Sequence, residues 1–298
     1  MKKWIVAIIV VLVAAFIFLN FVLPSPGKVT VNKHIKASTA TIYRVIANQQ
    51  RLDRVLPGDF TLTKKLLNSV HINTTINNKV APGNILIVFN ATDSSLVSWE
   101  CAVPEANGFF SSISRRMLRN ELENKLTTAL ESIDTFSTNP INTYGMNIIQ
   151  TSTKDTSLLV TRFQTSAYPT NQEIYSHIDK LIKFAATKNA AQTGYPMLNV
   201  STTDSITFRC MVALPVNREI ETAYDAPISF VHMVPGRFLT AEIKGGPYTI
   251  QRANEMMQLY FQDYKRTAMA IPFEYLVTSR LNETDTSKWI TRIYAPVY

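Results

Sequence analysis

The chain is short of the residues that announce metal or covalent chemistry. It has two cysteines, Cys101 and Cys210, and four histidines, His34, His71, His177 and His232. No CxxC pair occurs, and the histidines stand far apart, so a structural metal site has no support. Each cysteine lies in its own apolar strand-like run. A disulfide needs Cα atoms within about 7 Å, and two buried free thiols in separate domains are expected instead. There is no Ser/His/Asp order, no phosphate-cradling glycine loop, no helix-turn-helix pattern and no zinc-finger spacing. The 30 basic and 22 acidic residues give a net charge of +8, yet no Lys/Arg block is longer than a pair. Nucleic-acid binding is therefore not expected, and no cofactor is implied. A positive surface can equally lean on anionic lipid headgroups.

What is present points to folded domains. Apolar residues make up 46% and charged residues 17% of 298 positions, enough to fill two cores. Residues 4–23 form a twenty-residue run with one polar side chain, Asn20. At helical rise it spans about 30 Å, the hydrocarbon thickness of a bilayer. It exceeds the roughly 7–15 apolar residues of a signal peptide, and neither an A-x-A pattern nor a lipobox cysteine follows. Residues 1–27 are read as an uncleaved anchor. Lys2 and Lys3 place its start in the cytoplasm and the rest outside a bacterial inner membrane, though Lys28 weakens that asymmetry.

Residues 28–140 begin with an alternating strand over 29–35 and a helix carrying Ile42, Val45 and Ile46. Strand-like runs follow near 61–66, 71–77, 84–90 and 95–103. Asn77-Asn78 and Pro82-Gly83 read as turns. A helix over about 112–136 closes the region, with Ile113, Met117, Leu118, Leu122, Leu126, Leu130 and Ile133 at three- and four-residue steps. This order resembles the START-like (polyketide cyclase/SRPBCC) helix-grip fold. Trp99 is read as core and Glu100 as solvent-facing. Polar residues 137–140 are the linker candidate.

Residues 141–298 contain a duplication. At an offset of 76, Ile174 falls on Ile250, Leu181 on Met257, Phe184 on Tyr260 and Pro196 on Pro272. The repeats, about 146–216 and 228–297, each read as strand-strand-helix-strand-strand, opening with a hairpin. Two such units are expected to pair about a pseudo-twofold axis.

The pattern resembles the GyrI-like, or bacterial transcription-regulator effector-binding, small-molecule-binding domain. The resemblance rests on Gly245-Gly246-Pro247-Tyr248, Pro272-Phe273-Glu274-Tyr275 and Ile293-Tyr294-Ala295-Pro296-Val297. It implies a ligand groove between the repeats, with the strand glutamate facing hydrophobic cations. Family members that regulate transcription carry an added DNA-binding domain, and this chain has the apolar run and the START-like region instead.

Glu274 is the position to back. The offset sets it against Leu198, so folding the unit does not require a carboxylate there. An unpaired carboxylate in an apolar groove is costly, and an organic cation would offset that cost. Aromatic faces would add cation–π attraction. The candidate ligand residues are Glu274, Tyr294, Trp289, Tyr260 and Tyr195. Alternation puts Arg292, Tyr294 and Pro296 on one face of their strand, without saying which face is the groove. Glu274 can instead pair with Arg280 or Arg292, and residues 280–286 read as a solvated loop.

The sequence thus predicts an α+β protein: a transmembrane helix, a helix-grip START-like domain, and a duplicated domain with pseudo-twofold symmetry. Its expected activity is non-covalent binding of a small hydrophobic or cationic ligand. Two alternatives stand. One is a hydrolase using Glu274 as general base with Tyr275 or Tyr294. The other is a tethered interaction scaffold.

Overall fold

A computed structural model describes Trp4, Ile8, Val11 and residues 27–298, except 57, 107–110, 154–155, 203–205, 234, 269 and 298. The rest of the apolar run 4–23 lies outside the described residues. Among the described residues no helix is long and apolar enough to cross a membrane. The protein is α+β, built on two antiparallel sheets. The chain divides between Asn139 and Pro140 into two compact units.

The first unit holds five strands: β1 (Lys28–Ile35), β2 (Phe60–Lys65), β3 (Ser69–Ile76), β4 (Lys79–Ala91) and β5 (Ser94–Ala102). Their order is β1-β5-β4-β3-β2, antiparallel throughout. Between β1 and β2 lie two short helices, α1 (Thr39–Ile46) and α2 (Gln49–Val55), N-capped by the Ser38 and Asn48 side chains. The helix α3 (Ser111–Thr138) buries Leu118, Leu122, Leu126, Leu130 and Ile133. They pack into the same core as Ile72, Ile85, Val97 and Trp99 of the sheet. Met117, expected on that stripe, is 69% exposed, because the run 118–122–126–130–133 already fills the buried face. Trp99 is fully buried. Glu100 points outward and meets Lys28 Nζ at 2.7 Å.

One expected turn forms and the other does not. Asn77 and Asn78 both adopt left-handed backbone, at φ 47° and 60°, and close the β3–β4 hairpin. Pro82-Gly83 instead lies inside β4, with Gly83 opposite Ile72 and Cys101. A Cβ on Gly83 would sit 2.5 Å from Cys101 Sγ and 2.8 Å from Trp99 Nε1. Glycine is present so that the indole can cross the strand.

The second unit contains α4 (Pro140–Tyr144), β6 (Ile149–Thr153), β7 (Thr156–Thr165), α5 (Asn171–Thr187), β8 (Met197–Thr202) and β9 (Phe208–Val216). It continues with β10 (Ile228–Met233), β11 (Gly236–Lys244), α6 (Pro247–Asp263), β12 (Phe273–Leu276) and β13 (Ile290–Val297). The sheet order is β10-β7-β9-β8-β12-β13-β11-β6. The expected opening hairpins are absent. Strand β6 pairs with β11 and β10 with β7, so each repeat lends its first strand to the other half. The link from β6 to β7 spans three Cα steps, about 11 Å at most. Strand β6, at one end of the order, must therefore lie close to β7, next to the other end, and the sheet curls.

At the centre, β8 meets β12 with Leu198 opposite Glu274. These are also the equivalent residues of the two repeats, so the pseudo-twofold axis passes between them. Both helices cover one face. Helix α5 packs Ile174, Ile178 and Leu181 over Leu159, Leu198 and Val212, while α6 packs Ile250, Ala253 and Met257 over Ala241, Ile293 and Ala295. Phe238, Phe273, Tyr275 and Tyr294 cluster on the other face with Met197 and Val160. Cys101 and Cys210 are buried thiols, one in each unit.

Candidate functional site

Strand β12 is four residues long, and its alternation decides the site. Phe273 and Tyr275 project to the helix-free face. Glu274 and Leu276 project toward the helices, because directly opposed residues in an antiparallel pair share a face and Glu274 opposes Ile293 and Leu198. The Glu274 carboxylate thus sits over the central strands, on the face that α5 and α6 cover. One of its oxygens accepts a 3.0 Å hydrogen bond from Asn254 Nδ2 of α6. The other lies 3.3 Å from the Arg280 guanidinium, and the two side chains keep only 13% and 5% of their surface.

Arg280 is correspondingly well held. Its guanidinium also donates to Thr291 Oγ1 at 3.0 Å and lies 5.3 Å from the centroid of the Trp289 ring. Its backbone N–H donates to the Tyr175 hydroxyl at 2.8 Å, and that hydroxyl donates to the Thr278 carbonyl. Trp289 is buried and donates from Nε1 to the Glu283 carbonyl at 2.9 Å. Asp285 caps the 3-10 turn Thr286–Lys288, and hydrogen bonds from Ser287 hold its carboxyl below the usual range. Residues 281–288 are largely exposed, as expected of a solvated loop, but Arg280 at its start is buried, and the segment brings that cation to Glu274. Between β8 and β9 the first repeat has only a short connection without an arginine, and Leu198 stands where the second repeat has Glu274.

Tyr168, in the connection before α5, lies within electrostatic range of the same charges. Tyr168 keeps 53% of its surface exposed; partial desolvation of its hydroxyl, with the Glu274 charge adding and that of Arg280 opposing, raises its pKa.

Of the residues expected at the site, the structure brings together Glu274 and Trp289, with Arg280 between them. The other three lie elsewhere. Tyr294 is on the opposite face of the sheet, stacked on Phe273 at 5.1 Å and edge-on to Tyr275 at 4.9 Å. Tyr260 packs between Tyr144 and Tyr264 in the core of α6. Tyr195 is 44% exposed and within electrostatic range of Arg292. Arg292 shares Tyr294's face and pairs with Glu242 at 2.8 Å. The expected Glu274–Tyr275 or Glu274–Tyr294 catalytic pair is split across the sheet. Asn254, Tyr175 and Thr291 were not anticipated, since each reaches Glu274 or Arg280 through tertiary contact. Among the described residues no three His, Cys, Asp or Glu side chains gather as a metal site.

No family model and no curated protein matches the sequence. Solved structures give distant likenesses of shape. The C-terminal domain of EcmrR aligns at 16% identity and a TM-score of 0.43, over 51% of this chain and 98% of its own. SAV2435 bound to tetraphenylphosphonium aligns at 16% identity and a TM-score of 0.34, over 51% of this chain and 94% of its own. The Zhui aromatase/cyclase from Streptomyces sp. R1128 aligns at 8% identity and a TM-score of 0.31, over 38% of this chain and 94% of its own.

Proposed function

We propose that the second unit is a small-molecule-binding module, and that its ligand is an apolar organic cation taking the place of the Arg280 guanidinium. The observation that carries this reading is the setting of Arg280 itself. A cation already rests there against a sheltered carboxylate, a hydroxyl and an indole face. An apolar organic cation is attracted by the carboxylate and the indole face, and one that carries an N–H also uses the hydroxyl. Charges about 4 Å apart at an effective dielectric near 20 attract by about 4 kcal/mol. The indole face adds about 0.5–2 kcal/mol.

Arg280 competes for the same carboxylate, so the wild-type protein binds such a ligand only in the fraction of molecules where the arginine has moved away. Residues 4–23 extend the proposal: they anchor the protein in a bacterial inner membrane, with both units outside the cytoplasm.

Tetraphenylphosphonium suits the test because its one charge is wrapped in phenyl rings. Titration of the full chain is expected to show binding that Arg280→Met strengthens about tenfold or more. Binding is expected to be lost in Glu274→Gln/Arg280→Met, which removes both charges and so leaves no unpaired ion in the core. Equal affinity in all three proteins would reduce the Glu274–Arg280 pair to a latch on the segment before β13, and the scaffold reading would stand.

A further inference from the structure

A second site lies on the other flank of α5. A cavity of about 490 Å3 opens between that helix and the β7–β10 margin of the sheet. Glu274 is on β12, beyond β9 and β8, so the two places are separate. The volume is within the range of small-ligand sites.

The walls are of two kinds. Phe184 of α5 and Ile228 at the start of β10 are apolar, and Thr161 of β7 adds a hydroxyl. Lys180 and Lys183 stand one helical turn apart on the rim, and no Asp or Glu lines the cavity. Among the described residues neither lysine has an ion-pair partner. Arg162 also borders the cavity, but its guanidinium donates to Ser229 Oγ at 3.2 Å. Register puts Arg162 and Ser229 on the opposite face of the sheet, where Ser229 opposes Val160. The two lysines therefore supply the charge. His177, at the cavity wall, stacks on Phe163 at 4.0 Å with its Nδ1 3.5 Å from Thr161 Oγ1.

We propose that this cavity binds a small organic anion: a carboxylate with an aromatic or aliphatic body. The body lies against Phe184 and Ile228, and the carboxylate lies between Lys180 and Lys183. This is the opposite charge from the ligand at Glu274, and it does not depend on that reading.

The groups facing His177 are Phe163, Thr161, Lys180 and Glu173. Burial and then Lys180 hold its imidazole below the ordinary range, while Glu173 pulls the other way. An anion placed on the lysines favours the imidazolium, so the imidazole pKa rises when the site fills.

The test titrates the full chain with 2-naphthoate and with 2-naphthamide, which keeps the rings and loses the charge. Naphthoate is expected to bind about tenfold tighter than the amide. Lys180→Gln/Lys183→Gln should remove that difference, and because both side chains are exposed the fold should survive. Carbon-13 labelling of histidine should report an upward shift of the His177 pKa with naphthoate alone. Equal binding of acid and amide, or naphthoate affinity unchanged by the lysine variant, or no naphthoate binding, would overturn the proposal.

Discussion

Glu274 owes its significance to the residue across from it. Leu198 is at once its strand partner and its counterpart in the other repeat, so the same sheet position is filled once by a hydrocarbon and once by a charge. The charge persists because Arg280 meets it out of water. Removing one member of such a pair strands the other. Glu274→Leu is expected to cost about 3 kcal/mol of unfolding free energy, and Arg280→Met a similar amount. The double variant should recover most of the loss. Urea unfolding of all four proteins measures this, and simple addition of the two costs would mean that the groups do not interact. At this scale the sequence marked out the acid, since it interrupts an apolar strand. It offered Arg280 only as one of two surface partners for that acid, beside Arg292; Arg280 sits in a polar run, and its burial follows from Tyr175 and Trp289 closing over it. Nor could alternation alone show that Tyr294 turns away from Glu274, because the helix-covered face depends on register with neighbouring strands.

Elements were legible where periodicity spoke and obscure where partners decided. The stripe of α3 was visible apart from Ile113 and Met117, which stand outside its core. Pro82-Gly83 has the local chemistry of a turn, but pairing with β3 and the bulk of Trp99 hold it in a strand. Gly83→Ala is expected to destabilise the first unit by about 1–3 kcal/mol through overpacking against the indole and Cys101. Thermal melting would reveal it, and an unchanged midpoint would show that the indole can give way. The exchanged strands could not be foreseen, since a hairpin and a swap use the same local sequence. Ser152 opposes Arg237 in the exchanged pairing, whereas a hairpin would set it against Ser157. Cysteines at 152 and 237 should therefore oxidise to a disulfide, and cysteines at 152 and 157 should not. Mass spectrometry without reductant distinguishes the two pairings.

For the whole molecule, the α+β class was readable from strand-like runs alternating with amphipathic helices. The offset of 76 reappears as the local twofold between β8 and β12. The curl of the second sheet was not readable, because it follows from two short links, each joining a terminal strand of the order to the strand next to the other end. The anchor proposal predicts that the full chain stays with the membrane fraction after alkaline carbonate washing, and that a chain lacking residues 1–26 does not. Release of the full chain would remove the tether. The binding claim is tested most directly by a crystal structure of the protein grown with tetraphenylphosphonium. The account predicts the phosphonium between Glu274 and the Trp289 ring, with Arg280 swung out of the cleft. A phosphonium bound elsewhere, with Arg280 still against Glu274, would contradict it.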